Sequence, residues 1–190
     1  MLPPITVLDF ETTGSVRGHP DVPWQIGLVE LADGRVTGAC REDLLHVPAG
    51  RPFNPYAPGR HAALRDRLDA APEPAVLWPA WSPWLLNRPL AAHNASTEKK
   101  LLQHLAPLHR FGPWLDTLVL ARHLLPTATD HTLSAACTAL GLLDRLAALC
   151  PGRTWHDALF DAFASALLLE HALSTPPFDT LPLPVLDSLR

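Results

Sequence analysis

The chain has 190 residues, 47% of them hydrophobic and 18% charged. That length suits one domain able to bury a core without disulfide or metal support, and the composition excludes a disordered chain. A formal net charge of −4 excludes a protein that coats nucleic acid by charge alone, because such binding needs Lys and Arg to neutralise phosphates; an enzyme whose site carries metal cations remains open.

Lys occurs only at Lys99 and Lys100, against thirteen Arg, which reads as base-composition bias in the coding genome. The 21 prolines imply stiff loops and interrupted helices. Cys40, Cys137 and Cys150 are odd in number and lack CxxC spacing, so they read as free, reduced thiols. No signal peptide and no apolar run of membrane-spanning length is visible, so a cytoplasmic protein is expected.

In chain order, Ile5 to Phe10 predicts a strand, Trp24 to Leu31 a second, and Arg35 to Val47 a third after the Asp33-Gly34 turn signal. A Pro-rich loop follows over residues 48–58. His61 to Ala70 has helical composition; 75–87 is a helical candidate broken by Pro79 and Pro83. Leu90 to Asn94 reads as a short strand, Thr97 to Leu105 as a helix, and Trp114 to Leu125 as extended chain turning helical. Thr132 to Leu140 is a helix closed at Gly141. Thr154 to Leu173 is the clearest helix, with Thr154 as its expected N-cap and Asp157 completing a capping box. Strands first and mixed units later predict an α/β fold with a partly antiparallel sheet. Two units are expected: a domain over 1–175 and a Pro-rich tail over 176–190.

Three segments carry carboxylates where apolar residues belong. Period two puts Ile5, Val7, Asp9 and Glu11 on one face of the first strand, with both acids at its C-terminal end. Sheets of this class place ligands there. A divalent cation would compensate the paired charges; a solvated strand end is the plainer reading. Glu98 shares a helical stripe with Leu101, Leu102 and Leu105. Either it is buried and paired, or it begins a helix and favours the positive end of the dipole. In the last helix Asp161 interrupts an apolar stretch, with His156 just before it. His156 reads as a titrating base or as a surface residue at a helix end. Asp157 rivals Asp161, and its capping role favours Asp161 as the site residue. Four carboxylates and a base suit two-metal phosphodiester hydrolysis, with the histidine taking the proton from water.

VLDFETTG (Val7–Gly14), AAHNASTEKKLL (Ala91–Leu102) and HDALFDAFASALLL (His156–Leu169) resemble the three motifs of the DEDDh, or DnaQ-like, 3′→5′ exonucleases. Gln25-Ile26-Gly27, Leu115-Asp116-Thr117 and Leu133 through Leu142 fall in order between them. The resemblance implies a ribonuclease H-like mixed sheet of five strands, antiparallel then parallel, with flanking helices. It implies that Asp9, Glu11, Glu98 and Asp161 hold two divalent cations, Mg²⁺ or Mn²⁺, and that His156 is the general base. Phe10, Thr12, Thr13 and Gly14 would line the pocket for the 3′-terminal nucleotide, and His93 and Asn94 would position the strand. The family usually has Asp where this chain has Glu98. The added methylene extends reach by about 1.5 Å, so the helix or rotamer adjusts, or Glu98 acts through a bridging water.

The expected substrate is a single-stranded nucleic acid 3′ end, DNA in preference to RNA, in proofreading or repair. An exoribonuclease is the alternative within the same chemistry, and a non-catalytic binding module the alternative of another class. The tail reads either as packed on its own domain or as a peptide that docks a DNA polymerase or sliding clamp.

Overall fold

The computed structural model describes residues 2–187 and 189; Ser188 and Arg190 of the expected tail, and Met1, lie outside the described residues. The strands are β1 (Ile5–Thr12), β2 (Pro23–Ala32), β3 (Arg35–Leu44), β4 (Leu90–Ala92) and β5 (Trp114–Asp116). The helices are α1 (His61–Asp69), α2 (Pro74–Leu85), α3 (Ser96–Leu105), α4 (Thr117–Leu124), α5 (Leu133–Ala139), α6 (Leu143–Leu149), α7 (Ala158–Leu173) and α8 (Leu183–Asp187). Among the described residues no helix is long and apolar enough to cross a membrane, and the three cysteines are free.

The five strands form one sheet in the order β3-β2-β1-β4-β5. β1 pairs antiparallel with β2, and β2 with β3; β4 pairs parallel with β1, and β5 with β4. The mixed five-stranded α/β architecture expected from the sequence is the one observed. Asp33 and Gly34 both take positive φ, 50° and 74°, the geometry that a two-residue hairpin matched to strand twist demands. Because β1, β4 and β5 run the same way, their C-terminal ends share one sheet edge.

Alternation along β1 sorts its side chains into two cores. Ile5 and Val7 join Val29 and Leu31 beneath α7 and its neighbours. Leu8 and Phe10 join Ile26 and Leu28 against Trp81 and Leu85 of α2 and Leu102 of α3. The chain beyond α7 returns to the first core, where Phe178, Leu183 and Leu186 are buried.

Two helix expectations are corrected. α2 is not broken at Pro79 and Pro83, both of which lie inside it. An interior proline costs about 3 kcal/mol through its lost N–H and its clash. Trp81 and Leu85, both 0% exposed, each contribute about 1.5–3 kcal/mol by burial, and the Ser82 hydroxyl donates to the carbonyl of Pro79 that Pro83 leaves free (3.4 Å). α7 begins at Ala158 rather than Thr154, because Asp157 is itself the N-cap and accepts from the Phe160 N–H. His156 therefore precedes the helix instead of lying in its first turn.

Candidate active site

The site is assembled at the C-terminal edge of β1. Asp9 lies opposite Gly27 and Glu11 opposite Gln25, on the face that carries Val7 toward α7. A Cβ at Gly27 would fall 2.3 Å from the Ala158 carbonyl oxygen and 2.5 Å from the Leu159 Cα. Only glycine admits the first turn of α7 directly onto the sheet, and that contact sets Asp161 over the β1 acids. The exposed His156 is in the left-handed region at φ 65°, a strained conformation for a side-chain-bearing residue. Its N–H donates to Asp161 Oδ2 at 3.2 Å. Potential ligand atoms of Glu11, His156 and Asp161 lie within 4.8 Å of one another.

Glu98 arrives from the other core. The parallel pairing of Val7 with Ala91 puts His93 level with Asp9, so the chain leaving β4 turns into α3 beside the acids. Glu98 lies in the first turn of α3 and is 5% exposed. The two readings of Glu98 are thus compatible: it begins the helix, and it is buried. Asp9 feels the charge of Glu98 as well as those of Asp161, Glu11 and Asp157.

The electrostatics are those of uncompensated negative charge. Burial, then the charges of Asp161, Glu98, Glu11 and Asp157, hold the Asp9 carboxyl well above the usual carboxylate range. Burial and the neighbouring Asp161 and Asp157 push Glu11 up to about 8. Burial pushes Glu98 up to about 8, eased by its own backbone N–H and reinforced by Asp116. Burial pushes Asp161 up to about 7, eased by the His156 N–H and reinforced by Asp157. Among the described residues, Glu98 Oε2 and Asp161 Oδ1 are buried without a hydrogen-bond partner. Buried polar atoms are normally satisfied, and an oxygen-rich set with orphaned acceptors fits a hard divalent cation.

A braced scaffold surrounds this set, and most of it escaped the sequence reading. Gln25 Oε1 accepts from the Ala158 N–H (3.2 Å) while its amide donates to Glu42 Oε1 (2.6 Å). Arg153 donates to Glu42 Oε2 at 2.5 Å and to Asp157 Oδ1 at 2.7 Å; Arg60 donates to Asp157 Oδ2 at 3.2 Å. Both carboxylate oxygens of Asp157 are thereby engaged, which separates its role from that of Asp161. On the far side, Asp116 accepts from the Asn94 and Ala95 N–H groups, both at 3.0 Å, and caps α4 through Leu118 (2.9 Å). It fixes the turn that launches α3. Asp116 stands immediately before a helical run, a capping signal, and within the Leu115-Asp116-Thr117 match that the resemblance supplied.

The residues expected to touch substrate are distributed as follows. Thr12 and Thr13 both donate to Asp21, at 3.1 and 3.2 Å, and the Gly14 N–H approaches Thr12 Oγ1 at 3.4 Å. Phe10 is 7% exposed and lies in the second core, on the sheet face opposite Asp9. His93 has both ring nitrogens engaged, with Thr117 Oγ1 at 3.0 Å and the His131 carbonyl at 3.1 Å. Burial lowers its pKa against the opposing pull of that carbonyl and of Asp116. Asn94 turns the chain at φ 63°, its amide 3.4 Å from Thr97 Oγ1.

A family model described as an exonuclease, of the RNase T type, matches residues 6–169. The chain belongs to this exonuclease family. A DNA polymerase III subunit epsilon-like protein of Rhodobacter capsulatus is 30% identical over 164 residues, covering 84% of this chain and 22% of that protein. The DNA polymerase III subunit epsilon of Rickettsia prowazekii is 30% identical over 174 residues, covering 86% of this chain and 70% of that one. The chain spans only 11% of a PolC-type DNA polymerase III of Oceanobacillus iheyensis, to which it is 29% identical. Among solved structures, exonuclease X in complex with 5′-overhanging duplex DNA superimposes with a TM-score of 0.68 at 26% identity, covering 90% of this chain and 92% of that one. E. coli exonuclease I bound to a dT13 oligonucleotide shares the fold, with a TM-score of 0.68 at 15% identity over 92% of this chain and 42% of that one.

Proposed function

We propose that the protein is a metal-dependent 3′→5′ exonuclease that releases nucleoside monophosphates from single-stranded DNA 3′ ends. The observation that carries the reading is the meeting of four raised-pKa carboxylates from β1, α3 and α7 beside His156, within an exonuclease family match. DNA is favoured over RNA because exonuclease X and exonuclease I, which share the fold, were solved with DNA. A proofreading or repair role is favoured by the polymerase III epsilon relatives.

Asp9, Glu11, Glu98 and Asp161 would hold two divalent cations, Mg²⁺ or Mn²⁺. When bound, these cations neutralise charge at the reacting phosphate and make water a better nucleophile near neutral pH. His156 takes the proton from the attacking water at a ring nitrogen, and its solvent exposure lets that proton leave. Thr12, Thr13 and Gly14, with Phe10 supporting them from below, receive the terminal nucleotide; His93 and Asn94 hold the β4–α3 turn beside the strand. A polymerase or clamp that engages the tail would meet a segment whose Phe178, Leu183 and Leu186 are already buried in the first core.

The test is digestion of 5′-labelled DNA and RNA oligonucleotides with Mg²⁺ or Mn²⁺ and with chelator. Stepwise 3′ shortening of DNA that chelator abolishes supports the proposal. Shortening from the 5′ end, metal-independent cleavage, or equal or better use of RNA overturns the corresponding part of it.

A further inference from the structure

α3 presents a second face to solvent that the carboxylate site does not use. Lys99, Lys100, Gln103 and His104 line a cleft of about 910 Å³ closed on its other side by Pro107, Phe111 and Trp114. Both lysines of the chain are here. Arg35, Arg41, Arg60, Arg88, Arg145 and Arg153 are held in ion pairs. Among the described residues neither lysine has an ion-pair partner. Lys99 Nζ stands 5.6 Å from the centre of the Trp114 ring, and Lys100 is exposed. Arg110, exposed in the loop that forms the far wall, also has no ion-pair partner among the described residues.

The wall is preorganised. Gln103 Nε2 donates to the carbonyls of Pro107 (3.0 Å) and His109 (3.3 Å), which ties the loop to α3. Behind it, His109 stacks on Trp78 with ring centres 4.7 Å apart, and Phe111 packs edge-on to the same indole. The nearby acid Asp187 is turned to the Trp114 N–H, 3.3 Å away, and does not pair with the lysines. The cleft follows α3, whose ten residues extend roughly 15 Å at 1.5 Å per residue, and the same helix carries Glu98 at its start.

We infer that this cleft holds the single-stranded DNA upstream of the cleavage point, with Lys99 and Lys100 on its phosphates and Phe111 beside its bases. Free ammonium groups along a groove with aromatic walls are the arrangement by which single strands are held without sequence preference. The inference rests on the exonuclease reading of the carboxylate site, since it takes the strand's 3′ end to lie there. The cleft gives longer single strands an advantage over short ones.

The test measures binding of fluorescein-labelled dT15 and dT3 to the full chain in chelator, where nothing is cleaved, across a salt series. Lys99→Ala/Lys100→Ala is expected to weaken dT15 more than dT3. It should also flatten the plot of log affinity against log salt for dT15 by about 1.4, or about 0.7 for each lost contact to a single strand. An exposed arginine on α1, changed as Arg67→Ala, is the control. An unchanged slope, an equal loss on dT3, or a loss no greater than that of Arg67→Ala overturns the inference, as does an equal loss on blunt duplex DNA. Wild-type hydrolysis with Mg²⁺ or Mn²⁺ is run in parallel: failure there refutes the nuclease reading, while the metal-free binding arm still decides the cleft.

Discussion

The side-chain carbonyl of Gln25 accepts the backbone N–H of Ala158 at 3.2 Å, so the strand beside β1 supplies a hydrogen-bond acceptor at the start of α7. Through Glu42, Arg153 and Asp157 the same strand pair also braces the backbone around His156. Gln25→Leu leaves the buried Ala158 N–H unpaired, a loss of about 1–3 kcal/mol. It also loosens the turn that aims His156. The expected outcome is a kcat at least tenfold lower with KM changed less than threefold, since misplacing a catalytic group by about 1 Å costs on the order of 100-fold. Steady-state kinetics beside a denaturant titration separate the two effects.

His156→Ala should lower kcat by about 100- to 10,000-fold, the range for loss of a general base. It should leave the metal-induced rise in Tm in place. Because a ring nitrogen of His156 lies within 4.8 Å of carboxylate oxygens of both Glu11 and Asp161, loss of that rise in this variant would reassign it from base to ligand.

The metal-free protein should lose stability as pH rises from about 4 to about 8. Asp161, Glu11 and Glu98 titrate near 7, 8 and 8 in the fold, against ordinary values of 3.8, 4.5 and 4.5. Over that window the folded state keeps protons that the unfolded chain has released, so the stability slope is negative. Mg²⁺ or Mn²⁺ at pH 8 should restore the loss. Asp9→Asn should raise the metal-free Tm at pH 8 and abolish hydrolysis. Thermal melts at several pH values, with and without metal, check the stability statements, and digestion of a labelled oligonucleotide checks the loss of hydrolysis.

Glu98→Gln should shrink the metal-induced Tm rise, and Glu98→Asp should preserve part of both that rise and the activity. The orphaned Glu98 Oε2 is the atom at stake. Unchanged metal titrations in Glu98→Gln would remove Glu98 from the ligand set.

Glu170 titrates in the opposite sense. Burial alone would raise its carboxyl, but hydrogen bonds from Arg145, the Val36 N–H and Arg35 hold it below the ordinary range. Its contribution is present above the ordinary Glu value and is lost as pH falls through the lower folded one. Arg35 and Arg145 are largely solvent-exposed, so screening limits the ionic part, and Glu170→Gln should cost about 1–2 kcal/mol at pH 7. The difference from wild type should narrow in acid.

Most of the sheet was legible because β1 and β2 are short apolar runs and the Asp33-Gly34 turn announces itself. The helix ends were less so. Thr154 and Asp157 are both good caps in isolation; Asp157 prevails because Arg60 and Arg153 hold it from positions 97 and 4 residues away. α6, with a single buried residue, Leu146, gave no periodic signal of its own. The acids were visible as polar intrusions on apolar faces, whereas the Gln25–Glu42–Arg153 brace joins segments up to 111 residues apart, and local pattern carries no trace of it.

α7 is the central column of the first core, and it also bears Asp161 near one end and Glu170 near the other. Whatever loosens the column dismantles the carboxylate site in the same event. On the proposed reading, a nascent or heat-damaged copy of this polypeptide would have no cutting power, and destructive chemistry would be confined to molecules that have finished folding.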